Sequence, residues 1–124
     1  MKGEKLRLAI RDLIETHPNI KRSEAGHSTH AWRYMVKAGK PIAMEPQLIE
    51  FQKIWVRADS INRTTLRDLE HSYRAYKPTN RFKPNHNLYG EASFKNCALI
   101  AYRITNLWQA VHVIRELAGD GAKP

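Results

Sequence analysis

The chain has 124 residues, 42% of them apolar, with 21 lysines and arginines against 12 aspartates and glutamates, a formal net charge of +9 and an isoelectric point near 9.9. That length and apolar content describe one ordinary domain able to bury a core without disulfide or metal staples, and they exclude a chain disordered throughout. Solubility of a small domain needs a net charge of only about 2–8 in magnitude, so the basic excess reads as a field that draws in polyanions, nucleic acid foremost.

Cys97 is the single cysteine, which excludes an intramolecular disulfide and a Cys-rich zinc site and fits a reducing compartment. The stretch Met1-Lys2-Gly3-Glu4-Lys5 is charged from the start and lacks the apolar run of a secretory signal. No segment has the uninterrupted apolar length of a membrane span. The expectation is a cytoplasmic protein with no membrane partner and no cofactor.

In chain order, the first segment, about Lys2 to Thr16, carries Leu6, Ile10, Leu13 and Ile14 at helical spacing and ends at Pro18. The second, about Ser23 to Ala38, puts Trp32, Met35 and Val36 on one helical face, with Gly39 placed as a C-terminal cap. Pro46 opens a third helix through Leu48, Ile49, Phe51, Ile54 and Trp55 to about Asp59. A fourth starts at Ser60 and carries Leu66, Leu69, Tyr73 and Tyr76 on one face, with Arg63, Arg67 and Arg74 on another, and ends at Pro78. From Lys77 to Gly90 prolines, asparagines and glycine predict a loop. The last segment, about Glu91 to Ala118, alternates spacings of three and four through Cys97, Ile100, Ile104, Leu107, Val111 and Ile114. As one helix it would span roughly 40 Å at 1.5 Å per residue, with a possible break near Thr105-Asn106. Strand alternation and Asn-Gly or Asp-Gly hairpin turns are scarce. The predicted fold is therefore all-α: a bundle of about five helices around a long C-terminal helix, with a basic loop at about 77–90, one domain over 1–118 and a flexible tail over 119–124.

The stretch from His71 to Gly90 contains Arg74, Lys77, Arg81 and Lys83 and no acidic residue, with Tyr76, Phe82 and Tyr89 interleaved. Cations neutralise phosphates and aromatic rings stack on exposed bases, so this combination suits nucleic acid. The alternative is a solvated loop whose aromatics enter the core, which fits Tyr76 best. The predicted contacts to the sugar-phosphate backbone are Arg63, Arg67, Arg74, Lys77, Arg81 and Lys83, with Phe82 and Tyr89 as stacking rings. Leu48 to Tyr76 also allows a loose helix-turn-helix, although the usual turn glycine is absent. The N-terminal cations Lys2, Lys5, Arg7 and Arg11 are partly cancelled by Glu4, Asp12 and Glu15.

Glu24-x-x-His27-x-x-His30 sets three potential ligands at spacings of three, but no complete metal motif occurs. No Gly-rich phosphate loop or nucleophile elbow is found either. The first functional expectation is a non-enzymatic nucleic-acid-binding protein, DNA or RNA, such as a DNA-binding regulator. The second is a helical interaction subunit of a larger nucleoprotein assembly, with a protein partner or a second copy on the C-terminal helix. The third is a small metal-dependent nuclease using His27, His30 or His86, with Glu91 as a possible metal ligand.

Overall fold

A computed structural model describes residues 3–24, 26–76, 88 and 91–119. Helix α1 (Gly3–Glu15) is followed by strands β1 (Ile20–Arg22), β2 (Trp32–Val36), β3 (Pro41–Met44) and β4 (Gln52–Arg57). Strands β5 (His71–Arg74) and β6 (Leu99–Ile104) and helix α2 (Leu107–Ala118) complete the chain. The strands form one antiparallel sheet in the order β1-β2-β3-β4-β6-β5. The all-α bundle expected from sequence is therefore incorrect: the protein is mainly β, with two helices.

The sheet sorts its residues by parity. Tyr34, Val36, Ile42, Met44, Ile54, Val56, Ile100, Tyr102 and Ile104 share one face, where they pack with Leu6, Ile10 and Ile14 of α1 and with Ala110, Val113, Ile114 and Leu117 of α2. This is the principal core, because successive strand residues alternate sides while each helix contributes one apolar stripe. The segment 61–70 adds Ile61, Leu66 and Leu69 to the same side. On the reverse face, Ala43, Trp55, Leu99 and Ala101 lie under Leu88 and Phe94 in a smaller core.

Three of the expected helices are strands or turns. Trp32–Val36 is β2, and Gly39, with φ +88°, sits in the β2–β3 hairpin rather than capping a helix. The 46–59 segment forms β4 after a loop, and its register with β6 pairs Ile54 with Tyr102 and Val56 with Ile100. The 60–76 segment is a run of turns followed by β5, which also removes the helix-turn-helix. The long C-terminal helix divides into β6 and the 12-residue α2. The division falls at Asn106, whose side chain caps α2 by accepting from the Gln109 N–H at 3.0 Å, while Gln109 Oε1 accepts from the Thr105 N–H at 2.7 Å. That reciprocal pairing satisfies backbone donors that a continuous helix would have bonded internally. No helix among the described residues is long and apolar enough to cross a membrane.

Candidate nucleic-acid interface

The strands carry Lys21, Arg22, Arg33, Lys53, Arg57, Arg74 and Arg103, and among the described residues no strand position is acidic. The pairing places all of these cations except Arg22 on the face turned away from the helices. Alternation produces this: in Lys53-Ile54-Trp55-Val56-Arg57 the even positions enter the main core and the odd ones face the reverse side.

Not every cation on that face is available to a ligand. Arg33 is buried and donates from Nε to the Gly26 carbonyl at 2.9 Å. Arg57 forks onto the Asp59 carboxylate at 2.9 and 2.7 Å. The hydrogen bonds from Arg57 hold the Asp59 carboxyl below its usual range, and the same pair holds the guanidinium charged. Lys21 lies in the edge strand β1, at the far side of the sheet.

Lys53, Arg74 and Arg103 form the central group. Lys53 and Arg103 are directly opposed across β4 and β6, an arrangement of like charges that weakens a sheet unless something else compensates it. Both lean on the Phe51 ring, Arg103 Cζ at 4.0 Å and Lys53 Nζ at 5.9 Å from its centroid. Lys53 Nζ also lies 5.8 Å from the Trp55 ring, and Arg74 Cζ lies 5.6 Å from it. Trp55 is only 2% exposed and donates from its indole N–H to Glu45 at 2.8 Å, so it is a floor beneath the cations rather than a surface for stacking. Arg103 makes a loose pair with Glu70 at 3.9 Å. Phe51, Lys53, Glu70, His71, Ser72, Ala101 and Arg103 line an open hollow of about 230 Å³ beside the edge strand β5.

No family model, no curated protein and no solved structure matches this chain. The geometry of its own residues is therefore what bears on function.

Of the eight residues expected from sequence, Arg63, Arg67 and Arg74 are described, and Lys77, Arg81, Phe82, Lys83 and Tyr89 lie outside the described residues. The expected helix that would have aligned the three arginines is absent. Arg74 belongs to the reverse face beside Lys53 and Arg103. Arg63 instead stacks on Tyr73, 4.8 Å from its centroid, and Arg67 is exposed in the turns between them. Sequence reading missed Lys53, Arg103 and Phe51. The usable signal was β4 alternation, with Lys53, Trp55 and Arg57 interleaved with Ile54 and Val56.

The histidines take other roles. His27 Nδ1 accepts from the Arg33 backbone N–H at 3.1 Å, and Nε2 points toward Glu15 Oε2 at 3.6 Å. Burial, with Arg22 nearby, pushes the imidazole below its ordinary value, so it is a neutral strut between the loop and α1. His30 bonds Gln47 at 2.9 Å. Glu91 accepts from Ser23 and from the Ser93 N–H. Among the described residues no three potential metal ligands cluster, and His86 lies outside them. Burial raises the pKa of the Cys97 thiol, which keeps it protonated near neutral pH.

Proposed function

We propose that the protein binds nucleic acid through the reverse face of its sheet, with Lys53, Arg74 and Arg103 as the principal phosphate contacts and Arg63 and Arg67 extending the surface beyond β5. The observation that carries this reading is the directly opposed Lys53–Arg103 pair on a sheet face whose strands hold cations and no carboxylate. Bound phosphate offsets the repulsion between the two cations. Aromatic contacts with Phe51 and Trp55 fix the positions of the charged groups before binding, which reduces the ordering cost of association. The excess of 21 basic over 12 acidic residues supports the same reading through long-range attraction.

The test is fluorescence anisotropy with labelled single-stranded DNA, RNA and duplex DNA at several salt concentrations. The variant Lys53→Glu/Arg74→Glu/Arg103→Glu is compared with Lys37→Glu/Arg115→Glu, which alters charge on the β2–β3 hairpin and on α2. Loss of binding in the first and near-normal binding in the second supports the reading. Equal loss in both reduces it to net charge alone, and no binding by the unaltered protein at low salt overturns it.

A protein-docking role has one observation in its favour. Trp108 is 62% exposed on α2, with His112 at 5.5 Å and Arg115 at 6.0 Å from its ring. Of the helix's other apolar residues, Ala110, Val113, Ile114 and Leu117 are buried against the sheet, Leu107 and Ala118 are partly buried on the same core, and Val111 is half-buried. What α2 leaves uncovered is the Trp108 ring with half-buried Val111 one turn along it, a small apolar patch for a subunit or dimer seam.

A further inference from the structure

Beyond the end of the sheet where β4 finishes and β6 begins, Ala58, Asp59, Arg63, Tyr73, Cys97 and Ala98 line an open pocket of about 320 Å³. Tyr73 lies on β5, directly opposite Ile100 and so on the helix side of the sheet. Its ring is 48% exposed, β5 being an edge strand of the sheet. The Arg63 guanidinium lies over that ring at 4.8 Å. Asp59 is oriented by the two hydrogen bonds from Arg57 and by its own backbone N–H, and its carboxylate remains largely exposed at the pocket rim.

We infer that this pocket accepts one unstacked nucleobase, which makes the preferred ligand single-stranded. This rests on the nucleic-acid reading above. The chemistry is that of single-strand recognition: a flat π surface and a guanidinium plane to stack against, small alanine walls, and a fixed hydrogen-bonding group at the rim. The Tyr73–Arg63 wall supplies the stacking surface. The Asp59 carboxylate accepts from the exocyclic amino group of adenine, cytosine or guanine, whereas uracil and thymine offer only an N3–H flanked by two carbonyl oxygens that repel it. Arg74, adjacent in β5 but on the other face, anchors the backbone as it passes from the reverse face around the sheet edge. Duplex DNA cannot present a base here without unpairing it.

The experiment uses the full chain with oligomers of deoxyadenosine, deoxycytidine and thymidine, a duplex control, and an adenine oligomer carrying one fluorescent 2-aminopurine. Tyr73→Ala should weaken single-strand binding by about 5- to 150-fold, the range for loss of one base–aromatic stack. Duplex binding should not change, and Tyr73→Phe should bind as the unaltered protein does. The 2-aminopurine emission should be quenched on binding and the quenching lost in Tyr73→Ala. Adenine and cytosine oligomers should bind more tightly than thymidine, with the gap narrowed in Asp59→Asn. If Tyr73→Ala lowers thermal stability, Tyr73→Leu keeps apolar bulk while removing the ring. Unchanged single-strand binding in both ring-less variants overturns the pocket, as does equal loss for single strand and duplex. If those variants bind normally while Lys53→Glu/Arg74→Glu/Arg103→Glu does not, the pocket fails and the sheet-face reading survives. Absence of all binding removes both.

Discussion

Neutralising Lys53 and Arg103 together gives a prediction whose size follows from the geometry. The two side chains are opposed across β4 and β6 and held on one ring, and under the proposed reading each meets one phosphate. Each phosphate neutralised on a single strand contributes about −0.7 to the slope of log Kobs against log salt. Lys53→Gln/Arg103→Gln should therefore make that slope shallower by about 1.4. Across a fourfold rise in salt, a change of 1.4 in slope corresponds to a roughly sevenfold difference in how much affinity is lost. The assay is anisotropy with a fixed single-stranded oligomer between about 50 and 200 mM salt. Removing two like charges that face each other should leave the fold intact, checked by a thermal melt. A slope unchanged in the variant, even with weaker binding, would refute the assignment, because the lost affinity would then not come from phosphate neutralisation.

Other expected outcomes concern the scaffold. Trp55→Ala should cost about 3–5 kcal/mol in denaturant unfolding, since the indole is buried between Ala43, Ala101 and Phe94 and bonded to Glu45. Asn106→Ala should cost about 1 kcal/mol by removing the α2 cap, read from the same unfolding curves. The folded His27 pKa lies below its ordinary value, so the unfolded chain binds more protons as pH drops below about 6.5. Stability should therefore fall with pH from that point downward, and His27→Gln should flatten this part of the profile. Glu15, whose carboxyl is lowered chiefly by the Tyr34 hydroxyl against the opposing effect of burial, adds a further loss as pH falls below about 4.5.

Helix α1 and the second half of the last segment were legible because spacings of three, Ile10 to Leu13 and Ala110 to Val113, accompany those of four and fit one face of a helix but not of a strand. Leu6, Ile10 and Ile14 enter the core as their spacing implies. The strands were hidden by an arithmetic coincidence: a separation of four is one turn of a helix and also two steps along one face of a strand. Ile100 and Ile104 satisfy both, as do Trp32 and Val36. In β6 both faces are buried, with Leu99 and Ala101 on one and Ile100, Tyr102 and Ile104 on the other, so the polar–apolar alternation that would have marked a strand is missing. The β-branched pair Ile54 and Val56 pointed to a strand in β4, but exposed Ile49 and half-buried Phe51 extended the apparent helical stripe. The basic character was legible from composition. Its location was not, because Arg63 and Arg74 share a helical face only if residues 60–76 form a helix.

The same alternation makes stability and binding separable within one strand. Ile54 and Val56 face the helices and Lys53 faces the opposite side, so Val56→Ala should lower stability with binding unchanged once the protein is folded. Lys53→Gln should do the reverse. Trp55 belongs to both sets: it fills the smaller core and supports Lys53 and Arg74 from below. Trp55→Phe retains a ring but loses the bond to Glu45, and it should lower affinity by loosening the placement of two cations whose charges are untouched. That loss should appear with the salt slope preserved, since the number of phosphates met is the same. A slope that fell along with affinity in Trp55→Phe would mean that the indole is required for the contacts to form at all, and that the cations are not independently placed.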